Sequence, residues 1–194
     1  VAMGPLVWVW LRHRHQDVPQ RVHQLTALTL FLCFDLVLFG SFTRLSDSGL
    51  GCPDWPGCYG HASPFGAGEA IQAAQTAMPT GPVTLSKAWI EMIHRYFAMT
   101  LGVLILTLAV FSWKRDRSVW GWPTLSLVWV CVQGAFGALT VTMKLFPAIV
   151  SLHLMGGMLL LVMLLMQLLR QRHAPWAQSR IPLPTSVRRW LMAA

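Results

Sequence analysis

AWIEMIHRYFAMTLGVLILTLAVFSW, residues 88–113, decides the kind of protein this is. A helix needs about 20 mostly apolar residues to cross a bilayer. This run is longer than that and stops at the basic KRDR of 114–117. Near its start it carries Glu91 and His94. Residues three apart share one helix face, and ionisable groups inside such a segment mark a functional site.

Three further apolar runs flank it, over about 25–43, 119–143 and 147–169, the last opened by Pro147. Together they predict an all-α integral membrane protein, a bundle of four transmembrane helices. The 43–87 stretch between the first two helices is rich in Gly, Pro and Ser and reads as one long loop. Composition agrees: 55% of the chain is hydrophobic and 11% charged, with a mean hydropathy of +0.52. Soluble domains carry about 25% charged residues. The net charge of +8 does not indicate nucleic-acid binding, because the cations fall in short clusters between apolar runs.

Those clusters orient the bundle. Eleven of the 15 Lys and Arg lie with the termini and the 114–117 turn; Arg44, Lys87, Arg95 and Lys144 lie at the other side. The positive-inside rule then puts both ends in the cytoplasm of a bacterium and makes 43–87 a periplasmic loop of an inner-membrane protein. Residues 1–24 are an N-terminal cytoplasmic segment. Residues 171–194 are a second one, leading at Arg188–Ala194 into what reads as the cut start of a further helix. Trp55, Trp89 and Trp113 fall at the expected interfaces. A short echo relates Gly40–Leu45 (GSFTRL) to Gly137–Thr142 (GALTVT), and each is followed on the next helix by a histidine.

His94 lies six residues inside the second helix and His153 six inside the fourth, each about 9 Å below the outer boundary. Two imidazoles at one depth can ligate a heme iron from both sides. Gly102, Gly134, Gly137, Gly156 and Gly157 would allow close helix contact and leave room for a flat macrocycle. Glu91 admits two readings: an ion pair with Arg95, or a carboxylate over the porphyrin edge that handles protons or charge. Glu-x-x-His also occurs in di-iron bundles, but no second helical Glu supports that here. Cys52 and Cys58, in an oxidising compartment, suit a disulfide that is either a staple or redox-active. His61 beside them makes only a weak zinc set. Cys33 and Cys131 read as inert core thiols. Asp35 is expected to face inward and pair, for instance with Gln133.

With FGSFTRLSDSGLGCPDWPGCYG (39–60), KAWIEMIHRYFAMTLG (87–102) and QGAFGALTVTMKLFPAIVSLHLMGG (133–157), the sequence resembles the heme A synthase family. The resemblance covers most of residues 25–170. It implies the N-terminal half of an eight-helix protein whose two halves are alike. It further implies heme O as substrate and heme A as product in this half, by oxidation of the C8 methyl group to a formyl group. Heme B, passing electrons, is expected in the other half. By position His94 and His153 match the heme ligands, Glu91 the catalytic carboxylate, and Cys52 and Cys58 the paired loop cysteines; Arg44, Arg95, Asp35 and Gln133 are candidate supporting residues. Either the chain is truncated or two chains complete the unit as a homo-oligomer. Partners implied are membrane lipid, heme O synthase and cytochrome oxidase assembly factors.

Competing readings differ in what they need. A membrane cytochrome for quinol-linked electron transfer needs the histidine pair but not Glu91. A periplasmic thiol oxidase needs a second cysteine pair, which the tight 144–147 turn lacks. A purely structural assembly factor needs neither.

Overall fold

The computed structural model describes residues 3–115 and 121–172. Six helices follow in order: α1 (Met3–Arg12), α2 (Val18–Leu45), α3 (Gly68–Ala77), α4 (Leu85–Arg115), α5 (Gly121–Thr142) and α6 (Pro147–Arg172). Four of them, α2, α4, α5 and α6, are long and apolar enough to cross a membrane. The architecture is an all-α, multi-pass membrane bundle.

Neighbours are α2 with α4, α4 with α5, α5 with α6, and α6 with α2. The helices therefore form a closed square in which α4 and α6 stand on one diagonal. The middle of the bundle is packed by Cys33 of α2, Leu101 and Ile105 of α4, and Leu160 and Leu164 of α6. Val9 of α1 packs with Leu25, Leu104 and Leu108 and closes the end of the bundle where α2 begins and α4 finishes. Arg21 ties the α1–α2 connection by donating from Nε to the carbonyls of His13 (3.1 Å) and Gln16 (3.0 Å).

Helix limits follow local chemistry. Pro19 in the first turn starts α2 several residues before its apolar run. Proline loses nothing there, since a first-turn N–H has no intrahelical acceptor. Thr84 caps α4, its Oγ1 accepting from the Lys87 N–H at 3.2 Å. Both α2 and α5 end in the same way. The Ser48 N–H reaches back to the Thr43 carbonyl (2.9 Å) and the Asp47 N–H to Arg44 (3.2 Å). In α5 the Leu145 N–H bonds Thr140 (2.8 Å) and the Lys144 N–H bonds Val141 (3.0 Å). These are paired Schellman caps, with Asp47 at φ 53° and Lys144 at φ 50° in the left-handed region. The sequence echo thus extends through the helix ends.

The 43–87 stretch is less irregular than expected, because residues 68–77 form α3. Ile71 of α3 packs with Cys52, Cys58, Ala67, Ala88 and Met92, so this segment has its own small core on the first turns of α4. Trp89 and Trp113 sit about 36 Å apart along α4 at 1.5 Å per residue, a span that suits the hydrocarbon core plus both interfaces. The expected helix start at Arg188–Ala194 lies outside the described residues, as do the first residues of the 119–143 run.

Candidate functional site

The imidazoles of His94 on α4 and His153 on α6 belong to the loop end of the bundle, one on each of the two diagonally placed helices. Each faces a glycine on the preceding long helix. A Cβ placed on Gly40 would come within 3.0 Å of His94 Nε2, and one on Gly137 within 3.5 Å of His153 Cε1 and 3.9 Å of its Nε2. Glycine inside a helix costs about 0.5–1 kcal/mol relative to alanine, so two such positions set opposite two histidines call for a local reason. Phe39 stacks on His94 with ring centroids 6.2 Å apart and planes 21° apart. His153 Nδ1 is buried and has no hydrogen-bond partner among the described residues.

Gln133 lies one turn deeper. It is 7% exposed, its Oε1 is unpartnered, and its amide rests against α6 at Gly156, where any side chain would collide with it. Trp129 Nε1 donates to the Gly156 carbonyl at 2.9 Å. Gly156 therefore admits two α5 side chains to the α6 backbone beside His153. Gly157 meets only Val37, and Gly102 and Gly134 meet nothing. Of the glycines picked from sequence, Gly137 and Gly156 belong to this site. Gly40 was missed, although the echo with Gly137 was the signal that could have found it.

Glu91 is 4% exposed and fully engaged. Its Oε2 accepts from the Cys52 N–H at 2.8 Å, and its Oε1 pairs with Arg95. Arg95 donates from Nη1 to the carbonyls of Gly57 (2.6 Å), Asp54 (2.8 Å) and Pro56 (3.3 Å). Its Nη2 also reaches the Cys52 carbonyl at 3.4 Å. One guanidinium thus gathers the carbonyls of a single turn of loop, a use that its fork of donors permits and a lysine would not. The Glu91–Arg95 pair clamps that loop to α4, one helical turn from His94.

The clamped loop is closed by the Cys52–Cys58 disulfide, with Cα atoms 4.9 Å apart and both cysteines fully buried. Bonded to each other, the two sulfurs are not available with His61 as a zinc set. Gly51 approaches α4 so closely that a Cβ would lie 2.5 Å from the Ala88 nitrogen. At the loop tip, Tyr59 and Gly60 turn the chain with positive φ, and both N–H groups donate to the Asp54 carboxylate at 2.6 and 2.7 Å. Burial first, then that carboxylate, push the Tyr59 phenol above its usual range.

Other expected residues fall elsewhere. Arg44 is exposed at the end of α2. Cys131 is exposed on the outer side of α5, so it is not a core thiol, while Cys33 is buried. Asp35 does not face inward toward Gln133: it is exposed on the outer side of α2. The inward side is held by Thr29, Cys33 and Gly40, and two residues on from Cys33 the helix has turned through about 200°.

Among the described residues, no three His, Cys, Asp or Glu side chains gather as a set for a bare metal ion. A heme iron asks less of the protein, because the porphyrin supplies four nitrogens and leaves two axial places. Two imidazoles above glycine-lined surfaces suit that need.

Comparison with known proteins gives a consistent neighbourhood. The family described as cytochrome oxidase assembly protein (COX15-CtaA) matches residues 23–194. A heme A synthase from Shewanella oneidensis is 43% identical over 148 residues, covering 76% of this chain and 45% of that protein. A heme A synthase from Bartonella quintana is 31% identical over 122 residues, covering 56% and 34%. One from Bacillus licheniformis is 28% identical over 130 residues, covering 65% and 37%. The chain spans less than half the length of these curated relatives. No solved structure matches it.

Proposed function

The chain belongs to the family of cytochrome oxidase assembly proteins, and from that premise we propose that it acts in heme A synthesis, holding heme O as substrate between His94 and His153. The repeated facing of glycine and imidazole, Gly40 with His94 and Gly137 with His153, is the observation that supports this reading best. In it, the two imidazoles would hold the heme iron, and Gly40 and Gly137 keep side chains out of the space beside them. The reaction is an oxidation by successive hydroxylations, in which the C8 methyl of heme O and the oxygen of a water give the formyl of heme A, with the protons released and the electrons leaving through the heme B carrier to an acceptor outside this chain. Heme B, as the electron carrier, belongs in this proposal to a second four-helix unit, supplied by a longer protein or by a second chain.

The chain's own groups then have distinct tasks. The imidazoles bind and orient the substrate. Glu91 stabilises positive charge or takes a proton at its carboxylate, one turn from the iron ligand. Arg95 positions Glu91, and the disulfide-closed loop covers that end of the bundle. Gln133 supports the His153 side. The setting is the bacterial inner membrane with the loop end periplasmic, since among the described residues Arg12, Arg14, Arg21, Lys114, Arg115, Arg170 and Arg172 belong to the other end. Heme O synthase and cytochrome oxidase assembly factors are the partners this role would bring, together with self-association.

One observation favours a second reading, a bis-histidine electron-transfer cytochrome. Glu91 already has a full set of partners in Arg95 and Cys52, and a cytochrome asks nothing more of it. Pigment extraction separates the two. Membranes carrying the protein and supplied with heme O should yield heme A. Heme O bound and recovered unchanged would favour the cytochrome.

A further inference from the structure

Asp35 is a carboxylate on the wrong side of its helix for a protein standing alone in lipid. It lies about 15 Å from Leu25 and about 12 Å from Thr43, the ends of the apolar run of α2. That places it near the centre of a hydrocarbon layer about 30 Å thick. It is exposed and shares its face with Phe31, Phe34, Leu38 and Phe42, each about half exposed. Among the described residues no hydrogen bond or ion pair engages it. Its side chain is too short to reach either interface, and intramembrane acids almost always face protein and pair with a donor.

The other half of that pair is constrained by the sequence. Residues 22–43, 96–113, 121–143 and 148–169 contain no Lys or Arg. A second copy laid on this face would therefore bring no cation to that depth. A symmetric contact through α2 would set Asp35 against Asp35, since such an interface uses the same patch twice. Phe31 and Phe34, one turn and one residue before Asp35, offer ring faces of the kind that attract a cation in a dry setting.

We propose that the Phe31–Phe42 face of α2 docks a transmembrane helix from outside the four described here, one carrying a Lys or Arg side chain at mid-membrane depth that pairs with Asp35. This inference does not depend on the heme reading.

The test is photo-crosslinking from a benzophenone side chain at Leu38, in the full-length protein in its own membrane, with the captured segment mapped by peptide mass spectrometry. The expected segment is an apolar run with a Lys or Arg within a turn of the crosslink. Its yield should fall about tenfold in Asp35→Asn and be retained in Asp35→Glu. Exchanging the charges, with Asp35→Lys and an Asp in place of the partner's cation, should restore capture. Capture of lipid alone, of a second copy, or of a segment without a basic residue would overturn the proposal. So would an unchanged yield in Asp35→Asn. If Asp35→Asn lowers the amount of protein in the membrane, the charge exchange decides by itself.

Discussion

Glu91, His94 and Arg95 lie within about one turn of α4 and divide two duties between them. Glu91 and Arg95 face the loop and hold it, whereas His94 turns toward Gly40 on α2. Glu91→Gln keeps an acceptor for the Cys52 N–H, so the loop should stay closed and heme O should still bind. Removing a group that handles a proton or developing charge lowers turnover by about 10²–10⁴, and heme A output measured by pigment extraction should fall on that scale. Normal output would reduce Glu91 to a clamp. Gly40→Ala tests this close approach. The added methyl stands 3.0 Å from His94 Nε2, so the imidazole has to give way to admit it. Heme O affinity should drop, read by titration of the purified variant. A variant that binds heme O normally would mean that Gly40 leaves no room the substrate uses.

Among the elements, what was legible depended on whether lipid or water surrounds the residue. The four long helices were evident because a membrane span has to be apolar along its length. The inward face of α2 was not, because a helix in lipid is apolar all round and its pattern does not give its rotation; Asp35 was misplaced for that reason. α3 was missed because its residues 68–77 lie within a stretch dominated by Gly, Pro and Ser. The paired caps of α2 and α5 carry a prediction of their own. Lys144 sits at φ 50°, where a side chain costs about 1–2 kcal/mol. Lys144→Gly should raise the melting temperature of the detergent-solubilised protein, and a lower one would contradict the cap geometry. For the loop, replacing Cys52 and Cys58 by Ser removes a short-range crosslink of about 2–3 kcal/mol. Limited proteolysis should then cut at 53–57 while helical content is preserved. Cleavage within the long helices instead would show that the disulfide supports the bundle itself.

As a whole, the molecule is two similar hairpins, α2 with α4 and α5 with α6, closed into a square with one histidine from each near the same end. That arrangement makes the site a property of the assembled bundle, since neither hairpin brings both imidazoles. The depth match of His94 and His153 was readable by counting residues from each helix start. Their facing glycines became apparent only with the bundle closed, because a contact between helices has no signature within either one. The most direct test is a titration of the purified protein with heme O, followed by absorption and low-temperature electron paramagnetic resonance. The account predicts one low-spin, bis-imidazole heme per chain, with that signature lost in both His94→Ala and His153→Ala. An unchanged low-spin spectrum in either variant would show that the iron is held elsewhere.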